Sequence, residues 1–395
     1  MALSLMAKAQ AQQPDTTFRK RIVSKTQIEA VVATYVQDGN NSAVTGGIGT
    51  EALVVIGPNL KIRHQFRKYN TFVYHGGADF ITSASTDNID HIRSSPSRKD
   101  TRGFSDLSYR RDLKKIDMGI SGGLGFSVES DYFSVPVSLS LEYREPKRMR
   151  TYNLSFQAIF DDLRWGRLNP DYLRPVELIY PSELRYQNWF TEYKRNSYNI
   201  KIAFTQVINT RMVASLMPEF SYQTGLLSTP FHRVYFTDGS EKVENLPMQR
   251  IKVPIAARLN YFAGKRTILK GQYSFYWDNF GIVSHGIELE CAIKVKPVFT
   301  ISPFFRFYYQ AGARYFRPYM AHDPGESFYT SDYDLSTMET YKAGLSFKYA
   351  PFSYAGKRFQ FEEMMLRYAY YRQSNGLWAH IVSLVIDIAA YGKQK

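Results

Sequence analysis

Three stretches of the chain carry side chains of the kind that bind ions or move protons. Residues 83–95 read Ser-Ala-Ser-Thr-Asp-Asn-Ile-Asp-His-Ile-Arg-Ser-Ser, so Asp87, Asn88, Asp90 and His91 offer oxygen and nitrogen donors at short spacing. A second acidic stretch holds Glu326, Asp332 and Asp334. Carboxylates and amide carbonyls suit Ca²⁺. Asp87, Asp90, Asp332 and Asp334 are therefore the Ca²⁺ candidates, although neither stretch has EF-hand spacing. Asx-turns and loop capping are the ordinary use of such residues. The third stretch is Ser228-Thr229-Pro230-Phe231-His232-Arg233-Val234-Tyr235-Phe236. Ser228 and His232 with a loop Asp could be drawn as a hydrolytic triad. No Gly-x-Ser-x-Gly elbow accompanies them, and the chain has only 7 His. A non-enzymatic protein with no catalytic residue and no cofactor, Ca²⁺ aside, is the expectation, with a loop Ser/His hydrolase as the alternative.

Nucleotide chemistry is not indicated. Gly46-Gly47-Ile48-Gly49 precedes no helix, and Gly119-Ile120-Ser121-Gly122-Gly123-Leu124-Gly125 lies inside a strand pattern. A phosphate-binding glycine loop must open a helix. Small residues inside a strand mark a close approach or a kink instead.

The elements that must position these residues are strands. Ile251, Val253, Ile255, Ala257, Leu259 and Tyr261 alternate with Arg250, Lys252, Arg258 and Asn260; Phe133, Val135, Val137, Leu139, Leu141 and Tyr143 alternate with Ser134, Ser138, Ser140, Glu142 and Arg144. Period-two patterns give a strand two different faces, and a helix would need a period of 3.6. Sixteen such strands are predicted. They cover 27–37, 50–66, 69–82, 101–112, 115–128, 132–145, 150–161 and 195–208, then 210–224, 250–262, 266–278, 282–294, 297–312, 338–350, 360–373 and 376–390. Many exceed the ~9–11 residues that cross a bilayer at a tilt. Their apolar faces tend to end in aromatics such as Tyr143, Tyr222, Tyr261, Trp277, Tyr349 and Tyr370, as the interfacial girdles of membrane barrels do.

The connections sort by parity. Turns after even-numbered strands are mostly tight, whereas 83–100, 162–194, 225–249 and 313–337 all follow odd-numbered ones. Short turns on one side and long loops on the other is the outer-membrane pattern, with the short side periplasmic. The fold class is thus all-β: an antiparallel transmembrane β-barrel of about 16 strands with long extracellular loops. The mean hydropathy of −0.34 over 395 residues does not oppose this, because alternation averages out.

In domain terms, 1–11 reads as a signal-peptide remnant with Ala9-x-Ala11 as the cleavage signal. Residues 12–26 are a periplasmic N-terminal segment, 27–390 the barrel and 391–395 a C-terminal tail. Lys and Arg total 50 against 36 Asp and Glu, a net charge of +14. These cations sit at alternating strand positions, so Lys201, Arg211, Arg250, Lys252, Arg258, Arg306 and Lys342 are expected to line the lumen. A salt-bridged interior accounts for them first, an anion-selective porin second; nucleic-acid binding has no matching motif. Cys291 shares the apolar face of Ile287, Leu289 and Ile293 and is expected to face lipid.

Several strings taken together resemble one family. They are residues 37–49, Ser83-Ala84-Ser85-Thr86-Asp87-Asn88-Ile89-Asp90, 225–235 with Leu226-Leu227-Ser228-Thr229-Pro230-Phe231-His232-Arg233, Tyr276-Trp277-Asp278-Asn279-Phe280-Gly281-Ile282 and Phe328-Tyr329-Thr330-Ser331-Asp332-Tyr333-Asp334-Leu335-Ser336. They resemble a bacterial family of outer-membrane barrels known only as a domain of unknown function. The resemblance spans roughly 25–390. It implies a Gram-negative outer membrane, contact with its lipid and an extracytoplasmic, redox-related protein partner, but no established reaction. The sequence departs from many such barrels in running past Tyr391 to Lys395. These strings fall mostly at strand ends and in long loops. Asp87, Asp90, His232, Arg233, Asp278, Asp332 and Asp334 are therefore expected to gather at one mouth, as a loop plug or a ligand site.

Overall fold

The structure is a computed structural model that describes residues 24–83, 99–129, 133–163, 194–229, 232–355 and 358–392. Nineteen strands form among the described residues. They are β1 (Lys25–Asp38), β2 (Leu53–Phe66), β3 (Asn70–Ser83), β4 (Lys99–Leu113), β5 (Met118–Val128), β6 (Phe133–Glu145), β7 (Arg150–Asp162), β8 (Lys194–Asn209) and β9 (Met212–Gly225). Two short strands follow, β10 (Arg233–Tyr235) and β11 (Glu241–Val243), then β12 (Gln249–Phe262), β13 (Thr267–Asp278), β14 (Val283–Lys296) and β15 (Phe299–Gln310). The last are β16 (Met338–Tyr349), the three-residue β17 (Ser353–Ala355), β18 (Phe359–Gln373) and β19 (Trp378–Tyr391).

Sixteen of these close a barrel. Each long strand pairs antiparallel with its sequence neighbours, β9 passes directly to β12 and β16 to β18, and β1 pairs with β19 from Lys25↔Tyr391 to Asp38↔Trp378. Closure leaves no unpaired edge, which is the condition for a sheet to sit in hydrocarbon. All sixteen predicted strands are present, within a few residues at each end. The largest shifts are three residues each, at 115–117, which turn before β5, and at 50–52, predicted to open a strand. The N–H of Glu51 instead donates to Gly39 O at 2.9 Å, so Glu51 belongs to the loop and β2 starts at Leu53.

Alternation sets the two faces. On β14, Ile287, Leu289 and Ile293 are exposed, at 49%, 56% and 39%, while Glu288 and Glu290 point the other way. The polar face is the inside: Lys201 of β8, Arg250 and Arg258 of β12 and Arg306 of β15 line a single cavity, which strands so far apart can share only across a lumen. Cys291 lies outside, in an apolar depression between Leu259, Leu269, Leu289 and Phe305. The lumenal side of the glycine-rich β5 is small for a reason. A Cβ at Gly125 would collide with Asp106 and one at Gly119 with Arg110, so these glycines leave room for charged side chains of β4.

At one mouth the turns are tight, as at Arg67–Tyr69, Asp117, Met149 and Gly264, where positive φ matches the twist of a hairpin. The connection between β16 and β18 is the longer exception and carries β17. The long connections among the described residues gather at the other mouth. Such a closed barrel with an apolar exterior is an outer-membrane protein.

Candidate functional site

The driest part of the molecule is this loop-bearing mouth. Phe236, Phe280, Leu226, His322, Glu244, Val234, Val243 and Thr330 are each less than 2% exposed, and all lie in loops or at strand ends there. β10 and β11 form a small hairpin whose Val234 and Phe236 pack with Tyr329 of the 311–337 connection. Isolated bridges Phe236↔His322 and Asn245↔Tyr329 tie the two connections together, and Phe316↔Thr330 folds the second one on itself. The 39–52 loop joins them: Gly47 takes φ 91°, and a Cβ there would meet Ser331 O and the Tyr333 ring. Burying apolar side chains between loops needs such satisfied backbone. It makes a cap that is folded rather than merely connected.

The cap is fastened to the lumen. Lumenal Gln310 donates from Nε2 to Asp334 O at 2.8 Å and to Ser336 O at 2.9 Å. Asp332 and Asp334 are thereby held over the barrel interior, where Asp332 accepts from Asp334 N–H at 2.9 Å and caps the turn Tyr333–Leu335.

His232 meets two carboxylates at this place. Its Nδ1 lies 3.6 Å from Glu244 Oε1 and 3.8 Å from Asp332 Oδ2. Glu244 is fixed by Thr229 N–H at 2.6 Å and Thr330 Oγ1 at 2.5 Å. Burial alone would push the imidazolium down, but Glu244, Asp332 and Asp334 together hold His232 above its ordinary pKa. Burial pushes Asp332 up to about 6, resisted by His232 and reinforced by Asp334 and Glu244. Asp334 is raised by burial as well. Glu51 is pushed up to about 7 by burial, opposed by the N–H of Asn41 and reinforced by Asp334, Asp332 and Asp38. His232, Glu244 and Asp332 present one nitrogen and two carboxylate donors within 4.8 Å of one another. That mixed set suits a transition metal better than Ca²⁺, which prefers oxygen ligands alone.

Two cavities lie beneath the cap. One, of about 480 Å³, follows the wall from β8 to β15 and includes Lys201, Glu219, Arg250, Arg258, Arg306 and Asp334. The other, of about 470 Å³, is bounded by Glu51, His232, Asp332 and Asp334 above and by Arg306, Lys342, Tyr371 and Gln373 on the wall. Arg306 and Asp334 border both.

Of the residues singled out in the sequence, the fold brings together His232, Asp332 and Asp334. Asp278 has a separate task at the rim: fully buried, it accepts from Phe280 N–H and Ile282 N–H at 3.0 Å each and pairs with Arg250 at 2.5 Å. Arg233 is buried within β10. Asp87, Asn88, Asp90 and His91 lie outside the described residues, as do 1–11, most of 12–26 and the last three of 391–395. Among the basic candidates, Lys201 faces Glu219 at 3.8 Å, Arg258 donates to Gln272 at 2.7 Å, and Lys252 shares the face of Arg250. Arg211 instead occupies the tight turn between β8 and β9, where it is exposed, because the strand ends at Asn209. Ser228 is buried, and its Oγ accepts from Leu246 N–H at 2.7 Å, so it braces a loop. Glu51 and Glu244 escaped sequence reasoning; neither sits in a motif, and both acquire meaning only from loop-to-loop packing.

Comparison with solved structures returns porins. OccK1 (OpdK) of Pseudomonas aeruginosa is 8% identical, with 93% of this chain and 99% of that chain covered, at a TM-score of 0.43. OccK5 (OpdH) of the same organism is 9% identical, covering 94% and 98%, at 0.43. A BenF-like porin from Pseudomonas fluorescens Pf-5 is 9% identical, covering 93% and 99%, also at 0.43. No curated protein matches the chain. The family described as "Protein of unknown function (DUF3570)" matches residues 75–382, most of the barrel and all of the capped mouth from β9 to β16, and the chain belongs to that family.

Proposed function

We propose that this barrel is a non-enzymatic channel for small polar solutes, narrowed and made selective by the folded cap at one mouth. The observation that carries the reading is the position of Arg306. It borders both the cavity along the wall and the chamber under the loops, as Asp334 does, so the two adjoin between side chains of opposite charge. A sixteen-stranded barrel is wide enough for a water-filled passage, and charged groups lining a constriction are the usual basis of selectivity. The chamber, at about 470 Å³, is of a size that holds a small molecule.

Much of the lumenal charge is internally neutralised and so leaves few free groups to discriminate. Arg110 binds Glu142 and Asp112 at 2.9 Å each, and Glu290 takes Lys270 at 2.7 Å and Arg367 at 3.2 Å. Arg306 and Lys342 make no ion pair with a described carboxylate, which leaves unpaired positive charge under the cap.

Planar bilayer recording tests the channel directly. The refolded full chain is expected to give small, discrete conductance steps. Gln310→Leu, which unties the cap by leaving two carbonyls without a donor, is expected to enlarge them. Absence of conductance in the native chain, in Gln310→Leu and in a variant lacking the 311–337 cap segment would contradict the reading.

A further inference from the structure

The chamber under the cap is electrically divided. Arg306 and Lys342 are register partners on β15 and β16, so two like charges face each other directly across the strands. That arrangement is unfavourable by itself. Glu288, opposite Arg306 on β14, forms no ion pair with it among the described residues. The guanidinium rests instead over the Tyr308 ring, 5.7 Å from its centroid. Two adjacent cations, with Glu288 beside them but outside ion-pair distance, make a seat for an anionic group, and an Arg–Lys pair suits a carboxylate.

The facing wall has the opposite need. Glu51, Asp332 and Asp334 reach the chamber from two different loops. Glu51 Oε2 is buried and lacks any hydrogen-bond partner. Gln373, only 6% exposed and bordering the same cavity, likewise has an Oε1 with no partner. Buried acceptors are almost always satisfied, so two orphaned acceptors at one cavity point to a missing donor. An ammonium group has three donors and a positive charge.

We propose that this chamber binds a small zwitterion, its carboxylate on Arg306 and Lys342 and its ammonium between Glu51, Asp334 and Gln373 Oε1. The site rests on the channel reading in that the cap stands at the entrance of the lumen, and it names the class of solute. Neither a simple anion nor a simple cation satisfies both walls.

Isothermal titration of the refolded full chain in detergent tests this with three four-carbon probes: 4-aminobutyrate, butyrate and butylammonium. Glycine and 6-aminohexanoate, run beside them, cover shorter and longer charge separations. The best zwitterion is expected to bind about tenfold or more tightly than butyrate or butylammonium. Lys342→Met is expected to remove its advantage over butylammonium, and Glu51→Gln its advantage over butyrate, with both variants first shown to fold by heat-modifiable gel mobility. Should one variant not fold, the other still discriminates, since the two lie on different elements. Equal affinity for charged and zwitterionic probes, no binding of any zwitterion, or zwitterion binding indifferent to the substitutions would each overturn the proposal. Conductance separates the two readings. A barrel that conducts without zwitterion preference keeps the channel and loses this site; one that binds a zwitterion without conducting keeps the site and loses the channel.

Discussion

Asp278 shows how a residue chosen for its chemistry can turn out to be architectural. Its carboxylate satisfies two backbone N–H groups of the 279–282 turn, the Tyr276 hydroxyl at 2.8 Å and the Arg250 guanidinium. Removing it strands Arg250, itself 17% exposed, without its counter-charge. Asp278→Ala is expected to destabilise by about 3–5 kcal/mol, the usual cost of breaking a buried pair on one side. Thermal unfolding of the refolded protein measures this; a loss below about 1 kcal/mol, the range of an exposed pair, would mean the hub is dispensable. Glu51 makes the pH dependence. Its folded pKa of about 7 lies above the model-peptide value of 4.5. Its contribution to loop packing is therefore fully present below pH 4.5 and lost as pH rises through 7. Asp332, raised to about 6, acts in the same sense. Hydrogen exchange at Ser42 and Gly47, whose amides bond within the 39–52 loop, is expected to be slower at pH 5 than at pH 8 once intrinsic rates are divided out. Glu51→Gln is expected to flatten the difference, and stronger protection at pH 8 would contradict the assignment. His232, Asp332 and Asp334 could be picked out in the sequence because their types are conspicuous. Their partners could not, since Glu51 and Glu244 reach them across 181 and 12 residues respectively (232 − 51 and 244 − 232) through loop contacts without periodicity.

Individual strands were the most legible part of the sequence, and for a physical reason. A strand between lipid and water must alternate over its whole length, so eleven to sixteen residues repeat one binary choice. The connections carry no such repeat. β10 and β11 are three residues each, and nothing in their pattern distinguishes a hairpin from an irregular loop. The boundary of β2 moved for a related reason: Glu51 alternates correctly with its neighbours, yet its N–H is taken by Gly39. The lipid-facing stripe yields its own test. Leu289 stands at the middle of β14 and is 56% exposed on the apolar side. Leu289→Arg is expected to cost about 2–4 kcal/mol in a bilayer, as at a membrane midplane. Glu288→Gln, one residue away on the wet face, is expected to stay within about 0.5 kcal/mol, as substitutions away from a named stabilising feature do. Unfolding in urea with the barrel in vesicles compares them, and equal effects would mean the two faces are not different solvents.

At the scale of the whole molecule, one wall separates an apolar exterior from a charged interior, with a dry cap at one mouth. The barrel followed from parity as well as periodicity, because an even number of strands separates each long connection from the next and so puts them on the same side. The cap did not follow, since its core joins Val234 and Phe236 to Tyr329, residues far apart in sequence and without a shared periodicity. Both the passage and the zwitterion chamber depend on the polar face of the wall being wet. Thiol accessibility in vesicles tests that most directly, beginning from the lone Cys291. In a Cys291→Ala background, single cysteines at Ile287, Glu288, Leu289, Arg258 and Arg306 are treated with a charged, membrane-impermeant thiol reagent. Fast labelling at 258, 288 and 306 with protection at 287, 289 and native Cys291 is the expected result. Labelling of the apolar positions, with 258, 288 and 306 protected, would contradict the arrangement of oil outside and water inside.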